Sequence, residues 1–257
     1  MKVACSFLIL LAQGSIATAL AAESASIHPA ITAAIAHADR PARDRERDEN
    51  RQPGAVLEFF GVRPGQTLIE YFAAGGTTAE ILARVVGPQG KVYMQNPPWA
   101  LERPNMSKAV AERLANGRLP NVARLDKSLN ELGLARASVD GAVMNMVFHD
   151  MFWLSEDVAD VLTDLHQMLK PGGFVGVVDH AAPERSGAEF AKDRDTGPHR
   201  IDEDFTRRMF LDAGFVLEAE SDVLRNPDDD RQKPFFAPEL KGRTTDRFVL
   251  RFRKPPS

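Results

Sequence analysis

Between Thr67 and His180, short apolar runs alternate with longer stretches of helical periodicity. The runs "TLIEYF", "KVYMQ", "NVARLD", "VDGAVMNMVFHD" and "GGFVGVVDH" are apolar and partly β-branched, and they read as strands, most of them buried. The intervening "TTAEILARVVG", "ALERPNMSKAVAERLANG" and "SEDVADVLTDLHQML" read as helices, the second interrupted near Pro104 and the third capped by Ser155. Strands alternating with helices predict βαβ units and a parallel sheet covered on both faces. The chain then changes character. "DEDFTRRMFLDAGF" is a helix, and "VLEAESDVL" and "TDRFVLRFRK" are strands with no helical pattern between them, so they pair antiparallel at one edge. The expected fold is α/β and doubly wound, with seven strands, mostly parallel, one terminal antiparallel strand, and helices on both faces.

The ends of the chain set its organisation. "MKVACSFLILLAQGSIATALAA" has a lysine, an apolar core and a small-residue end, the order of a secretory signal, with cleavage expected after Ala21 or Ala22. Its apolar core is shorter than the roughly 20 residues a membrane span needs. Residues 1–22 are therefore read as a signal peptide on an exported protein, periplasmic or extracellular and free of the membrane after cleavage. Cys5 is the one cysteine, so the remaining chain has no thiol for a disulfide, a nucleophile or a metal. Residues 23–52 hold a helix, "IHPAITAAIAHA", and a charge run, "DRPARDRERDENRQP", read as a solvated helix or linker without a specific site. The main domain takes residues 53–257. A net charge of −4 with no basic block gives no footprint for nucleic acid or anionic lipid, which leaves small molecules or proteins as the expected partners.

In an open parallel sheet, ligands bind beyond the carboxyl ends of the strands. His149 and Asp150 end the fourth run, Asp179 and His180 end the fifth, and His199, Arg200 and Asp202 precede a helix. Three histidines and several carboxylates are thus expected at one mouth. A histidine there suits proton transfer near neutral pH, with a carboxylate to orient its ring. The same residue types suit zinc, iron or manganese, although no short helical metal spacing is present and no metal ligands are assigned. A third reading has each histidine only holding its own loop.

The "LKPGG" turn before the fifth strand, with the terminal antiparallel strand, resembles the class I S-adenosylmethionine-dependent methyltransferases, whose sheet is Rossmann-like. "FFGVRPGQTLIE", "FHDM", "VVDH", "HRID" and "LRNPDDDRQKPFF" with "TDRFVLRFRKP" resemble more closely a family of predicted methyltransferases that carry signal peptides, over roughly Asp39 to Pro255. The resemblance implies S-adenosylmethionine as cofactor and an unidentified, small-molecule acceptor. It places Glu70, Ala74, Gly75 and Gly76 against the cofactor's methionine part. Glycines are expected two, four and six residues after the acid; here those positions are Phe72, Ala74 and Gly76. Gln95 and Asn96 stand where an acid usually holds the ribose, Asp126 and Lys127 where adenine is met, and Asn145 ends the fourth strand. His180 or His149 is the expected base, with Asp179 or Asp150 orienting it and His199 beside them. Trp99 and Trp153 are placed to flank the pocket. A noncatalytic relative that keeps the fold, or a metal-dependent enzyme, is the alternative.

Overall fold

The computed structural model describes residues 26–154, 157–240 and 244–256. The expected signal peptide at 1–22 and Ser155 lie outside them. The seven strands are β1 (Thr67–Glu70), β2 (Lys91–Asn96), β3 (Val122–Asp126), β4 (Val139–Asn145), β5 (Leu169–His180), β6 (Val216–Ser221) and β7 (Arg247–Arg253). They form one sheet in the order β3-β2-β1-β4-β5-β7-β6, parallel except for β7, which runs antiparallel to both neighbours. This is the doubly wound fold that the alternation of runs predicts.

Six helices of seven or more residues cover the sheet among the described residues: α1 (Pro29–Ile35), α2 (Pro53–Phe60), α3 (Thr77–Val86), α4 (Pro104–Leu114), α5 (Val158–Met168) and α6 (Glu203–Asp212). Strand side chains alternate between faces. Leu68, Val143 and Val249 pack in one buried cluster with residues of α1 to α4, while Ile69, Met144 and Leu250 pack in the other with residues of α5 and α6. Asp157 caps α5, its carboxylate accepting from the Ala159 and Asp160 amides, so the cap sits two residues beyond the serine expected from sequence. The fourth run is also shorter than its apolar length predicts. After Asn145, Met146 takes a left-handed φ of 58°, which ends the strand and leaves His149 and Asp150 in a loop.

The charge run differs most from its sequence reading. Arg40 and Asp44 are buried, with Arg40 paired to Asp48 at 2.7 Å and Asp44 paired to Arg113 of α4 at 2.6 Å. Arg113 also pairs with buried Glu80 of α3 and donates from Nε to the Gly75 carbonyl at 2.9 Å. The segment thus folds back on the sheet because three helices share one ion network, which no local pattern reveals. No helix among the described residues is long and apolar enough to cross a membrane.

Candidate functional site

Chain order reverses between β1 and β4, since β1 leads outward to β2 and β3 while β4 leads the other way to β5. A cavity of about 980 Å³ opens beyond the carboxyl ends of these strands, where such a switch point splays the connecting loops apart. It lies at the upper end of the roughly 300–1,000 Å³ typical of small-molecule sites.

One wall is the turn after β1. Phe72, Ala74 and Gly76 all take left-handed φ, 44°, 50° and 75°, so the backbone follows a glycine turn although only the last is glycine. Each non-glycine residue in that region costs on the order of 1 kcal/mol. The compensation comes from β2. Gln95 Oε1 accepts from the Phe72 amide at 2.7 Å while its Nε2 donates to the Lys127 carbonyl, also at 2.7 Å. Asn96 Oδ1 accepts from the Ala74 amide at 2.8 Å and its Nδ2 donates back to the Ala74 carbonyl at 3.1 Å. Gln95 and Asn96 are buried and do not line the cavity, so their amides brace the turn rather than face a ribose. Asp126 and Lys127 also lie outside the lining; Asp126 pairs with Arg124 at 2.6 Å, and Lys127 Nζ reaches the Leu132 carbonyl at 3.3 Å. Gly76 is absent from the lining as well, and a side chain there would meet Met94 and Arg113. Glu70, Ala74, Gly75 and Asn145 do line the cavity, as do Phe72 and Trp99.

Glu70 is buried and its Oε2 has no hydrogen-bond partner. Burial pushes its carboxyl up to about 8, against the opposing bonds from the Thr78 hydroxyl and the Ala79 amide. Asn145 Nδ2 donates to Thr78 Oγ1 at 2.9 Å, tying the end of β4 to this wall. Arg51 and Arg247 face the same cavity, and neither has a carboxylate within ion-pair distance among the described residues. Burial lowers both guanidiniums, Arg247 to about 10, and the Arg51 charge adds to the shift of Arg247. A buried carboxyl with one free oxygen and two arginines without a carboxylate partner, Arg247 donating to the Asn50 carbonyl, suit in one cavity a zwitterion with an ammonium at one end and a carboxylate at the other. Sequence reading missed Arg51, Arg113 and Arg247. Their only signal is charge, and charge runs are usually solvated.

The facing wall is built by β4 and β5. Asp179, fully buried at the end of β5, accepts from the His149 amide at 2.8 Å, from the His180 amide at 2.7 Å, and stands 2.6 Å from His149 Nδ1. His149 Nε2 lies 3.1 Å from Asp150 Oδ1, and His199 Nδ1 lies 3.4 Å from the same oxygen. Trp153 Nε1 donates to that oxygen at 3.1 Å. A one-residue bridge between Ala181 and Ile201 carries the "HRID" segment to the sheet, and so brings His199 in. In that segment Arg200 is buried in a bidentate pair with Asp229, and Asp202 caps α6, so both are structural. His180 stacks on Phe235 at 4.9 Å between ring centroids, and its Nδ1 lies 2.6 Å from Thr245 Oγ1. The three histidines, Asp150 and Asp179 thus meet within one cluster, whereas Arg200 and Asp202, also expected at the mouth, serve the fold.

His149, His180 and Asp150 are shifted in different directions. Burial alone would lower His149, yet the Asp179 charge and the bonds to both carboxylates push it up to about 10. Burial alone would raise Asp150, yet its bonds with His149 and His199 draw it down to about 2. Burial, then the His149, Arg247 and Arg200 charges, hold His180 well below its ordinary value. Across the mouth, Arg194 lies over both Trp99 and Trp153, at 4.7 and 5.2 Å from their ring centroids. This stack spans the gap between the two walls.

Sheet order, the antiparallel β7 and the cavity at the β1/β4 switch are those of the class I S-adenosylmethionine-dependent methyltransferase fold, which this chain shares. The methyltransferase domain family matches residues 101–177. S-adenosylmethionine is the cofactor of this class. An arsenite methyltransferase of Halobacterium salinarum is 26% identical over 146 residues, a stretch covering 56% of this chain but only 35% of that relative. A SAM-dependent methyltransferase from Aquifex aeolicus superposes with a TM-score of 0.59 at 22% identity, covering 81% of this chain and 93% of its own. An arsenic(III) S-adenosylmethionine methyltransferase from Chlamydomonas reinhardtii gives 0.56 at 18% identity, covering 88% and 73%.

Proposed function

We propose that this chain moves the methyl group of S-adenosylmethionine to a small-molecule oxygen or nitrogen acceptor seated against the histidine cluster. One observation carries the reading: a single cavity joins the turn after β1, with Glu70 and Arg51, to the wall that holds His149, His180 and His199. Glu70 would hold the ammonium of the cofactor's methionine part and Arg51 its carboxylate, while Phe72 and Trp99 supply apolar surface. Bound there, the cofactor supplies an electrophilic methyl carbon on a positively charged sulfur. Transfer would form the acceptor–methyl bond as the methyl–sulfur bond breaks, the electron pair staying on sulfur, and this chain's part would be to hold the acceptor in line and take its proton. The acceptor's proton goes to His180. His149 has both ring nitrogens engaged by carboxylates, whereas His180 has only Nδ1 engaged, by Thr245. Thr245 and the stacked Phe235 fix the His180 ring, which aligns it for a positioned proton transfer.

Two of the relatives are named for arsenic methylation. Trivalent arsenic is a soft centre that favours several thiolates, and this sequence has one cysteine, Cys5. A hard acceptor atom fits the imidazole-lined wall better. Export belongs to the same proposal, as does membership of the signal-peptide-bearing methyltransferases. Both rest on residues 1–22 and on the "FHDM", "VVDH" and "HRID" motifs. Cell fractionation with sequencing of the amino terminus tests export: recovery outside the cytoplasm with residues 1–22 removed is expected, and recovery only inside it with Met1 or Lys2 still at the amino terminus contradicts it. Calorimetric titration with S-adenosylmethionine and S-adenosylhomocysteine tests the main reading. Saturable one-to-one binding is expected, and no heat at millimolar ligand would overturn it.

A further inference from the structure

We propose that His149, Asp150 and His199 form a binding site for one divalent transition-metal ion, open to the cavity. Each offers one ligand atom, and the three atoms lie within 4.8 Å of one another. Donors around an ion bound at roughly 2.0–2.2 Å stand about 3–3.5 Å apart. The separations of Asp150 Oδ1 from His149 Nε2 and His199 Nδ1, 3.1 and 3.4 Å, already match that spacing. All three residues line the cavity, so the remaining coordination positions face the place where an acceptor would sit.

The direction of the hydrogen bonds makes the stronger case. His199 Nε2 lies 2.9 Å from the Arg194 carbonyl, an oxygen that can only accept, so the proton of the neutral ring sits on Nε2 and Nδ1 carries a lone pair. Asp179 occupies the same place for His149: buried and 2.6 Å from Nδ1, it takes the proton there and leaves the lone pair on Nε2. With those nitrogens held from outside, His149 Nε2, His199 Nδ1 and the Asp150 oxygen, which also accepts from Trp153 Nε1 at 3.1 Å, are grouped as donors to one centre, where a divalent ion would replace the proton that His149 Nε2 shares with Asp150. A ligating histidine whose other nitrogen is held by a carboxylate or a carbonyl is the usual outer-shell arrangement of a metal site. Both histidines here have it, one of each kind. Two imidazoles and a carboxylate suit zinc, iron(II), cobalt or manganese better than magnesium or calcium, which prefer all-oxygen sites.

The site is independent of the cofactor reading, because none of its ligands lies on the turn after β1. Its test uses the full chain, freed of metal by a chelator and titrated with Co²⁺ while visible absorption and heat are followed. One equivalent should bind with the visible bands of a four- or five-coordinate cobalt site, and Zn²⁺ should displace it. H199A and D150A should each weaken binding at least about tenfold, and D179N by about 10–100-fold through the His149 ring. H37A, which alters the surface His37–Asp39 pair, should leave the titration unchanged. H199A removes a side chain on a loop, so its circular dichroism should match the parent and its result should report on binding alone. Absence of saturable binding to the parent chain at millimolar Co²⁺ overturns the proposal. So does cobalt affinity that survives intact in both H199A and D150A.

Discussion

The two walls of the cavity use their polar side chains in opposite ways. On the β1–β2 wall, Gln95 and Asn96 are consumed by the backbone of the neighbouring turn, so what faces the cavity is Glu70, the turn itself and aromatic surface. On the β4–β5 wall, the buried Asp179 spends its bonds on holding two histidines, and the rings and Asp150 still face the cavity. A polar residue at the carboxyl end of a strand can thus serve architecture or ligand. The difference lies in what the adjacent turn requires. Phe72 and Ala74 take glycine-like φ angles and the β2 amides hold them, whereas the loop after β4, which opens on the left-handed Met146, is held by Asp179 through the His149 amide.

Breaking the β4–β5 wall should have the largest effect. His180→Ala should lower the rate of methyl transfer about 10²–10⁴-fold while cofactor affinity stays within a small factor, read from radiolabelled S-adenosylmethionine turnover beside calorimetry. Equal losses in both would move His180 from proton transfer to cofactor binding. On the other wall, Gln95→Ala strips partners from the Phe72 amide and the Lys127 carbonyl. Denaturant unfolding should show a loss of about 2–4 kcal/mol, since each buried unpaired group costs roughly 1–3 kcal/mol. A change below about 1 kcal/mol would mean the brace is dispensable. Arg51→Ala and Glu70→Gln should each weaken cofactor binding about 10–100-fold, as loss of a charge-assisted bond of roughly 1.5–3 kcal/mol implies. The cobalt titration should be unchanged in both, which would separate the walls cleanly. The smallest effect belongs to Ala74→Gly, which relieves a positive φ and should raise unfolding stability by about 1 kcal/mol or less. A loss of stability there would show that the turn carries no strain at Ala74.

How much of this was legible in the sequence follows the same division. Periodic runs and their lengths specify the sheet, because burial on both faces demands apolar strands and covering helices. The meeting of His149, Asp150, Asp179 and His180 was legible too, since parallel strands end on one edge. His199 joins them only through the Ala181–Ile201 bridge, which no local pattern encodes. Position alone placed Gln95 and Asn96 on the ribose, and their inward turn depends on the φ angles of residues 23 and 22 positions earlier in the chain. The charge run reads as solvated because its partners are distant: Asp44 meets Arg113 across 69 residues. Arg51 follows from the same folding back.

The central claim is that the β1 wall holds the cofactor's charged end through Glu70. That carboxyl, pushed up to about 8 by burial, carries its proton at neutral pH in the free protein. Because its native value lies above its unfolded one, the native state binds the extra proton between about pH 4.5 and 8, and Glu70's contribution to stability is lost as pH rises through that window. Pairing with an ammonium favours the ionised carboxylate, so binding should expel the proton. Calorimetry of S-adenosylmethionine binding at neutral pH, in two buffers of different ionisation enthalpy, measures it directly. The account predicts release of close to one proton by the parent chain and none by Glu70→Gln; binding without proton release in the parent would contradict it.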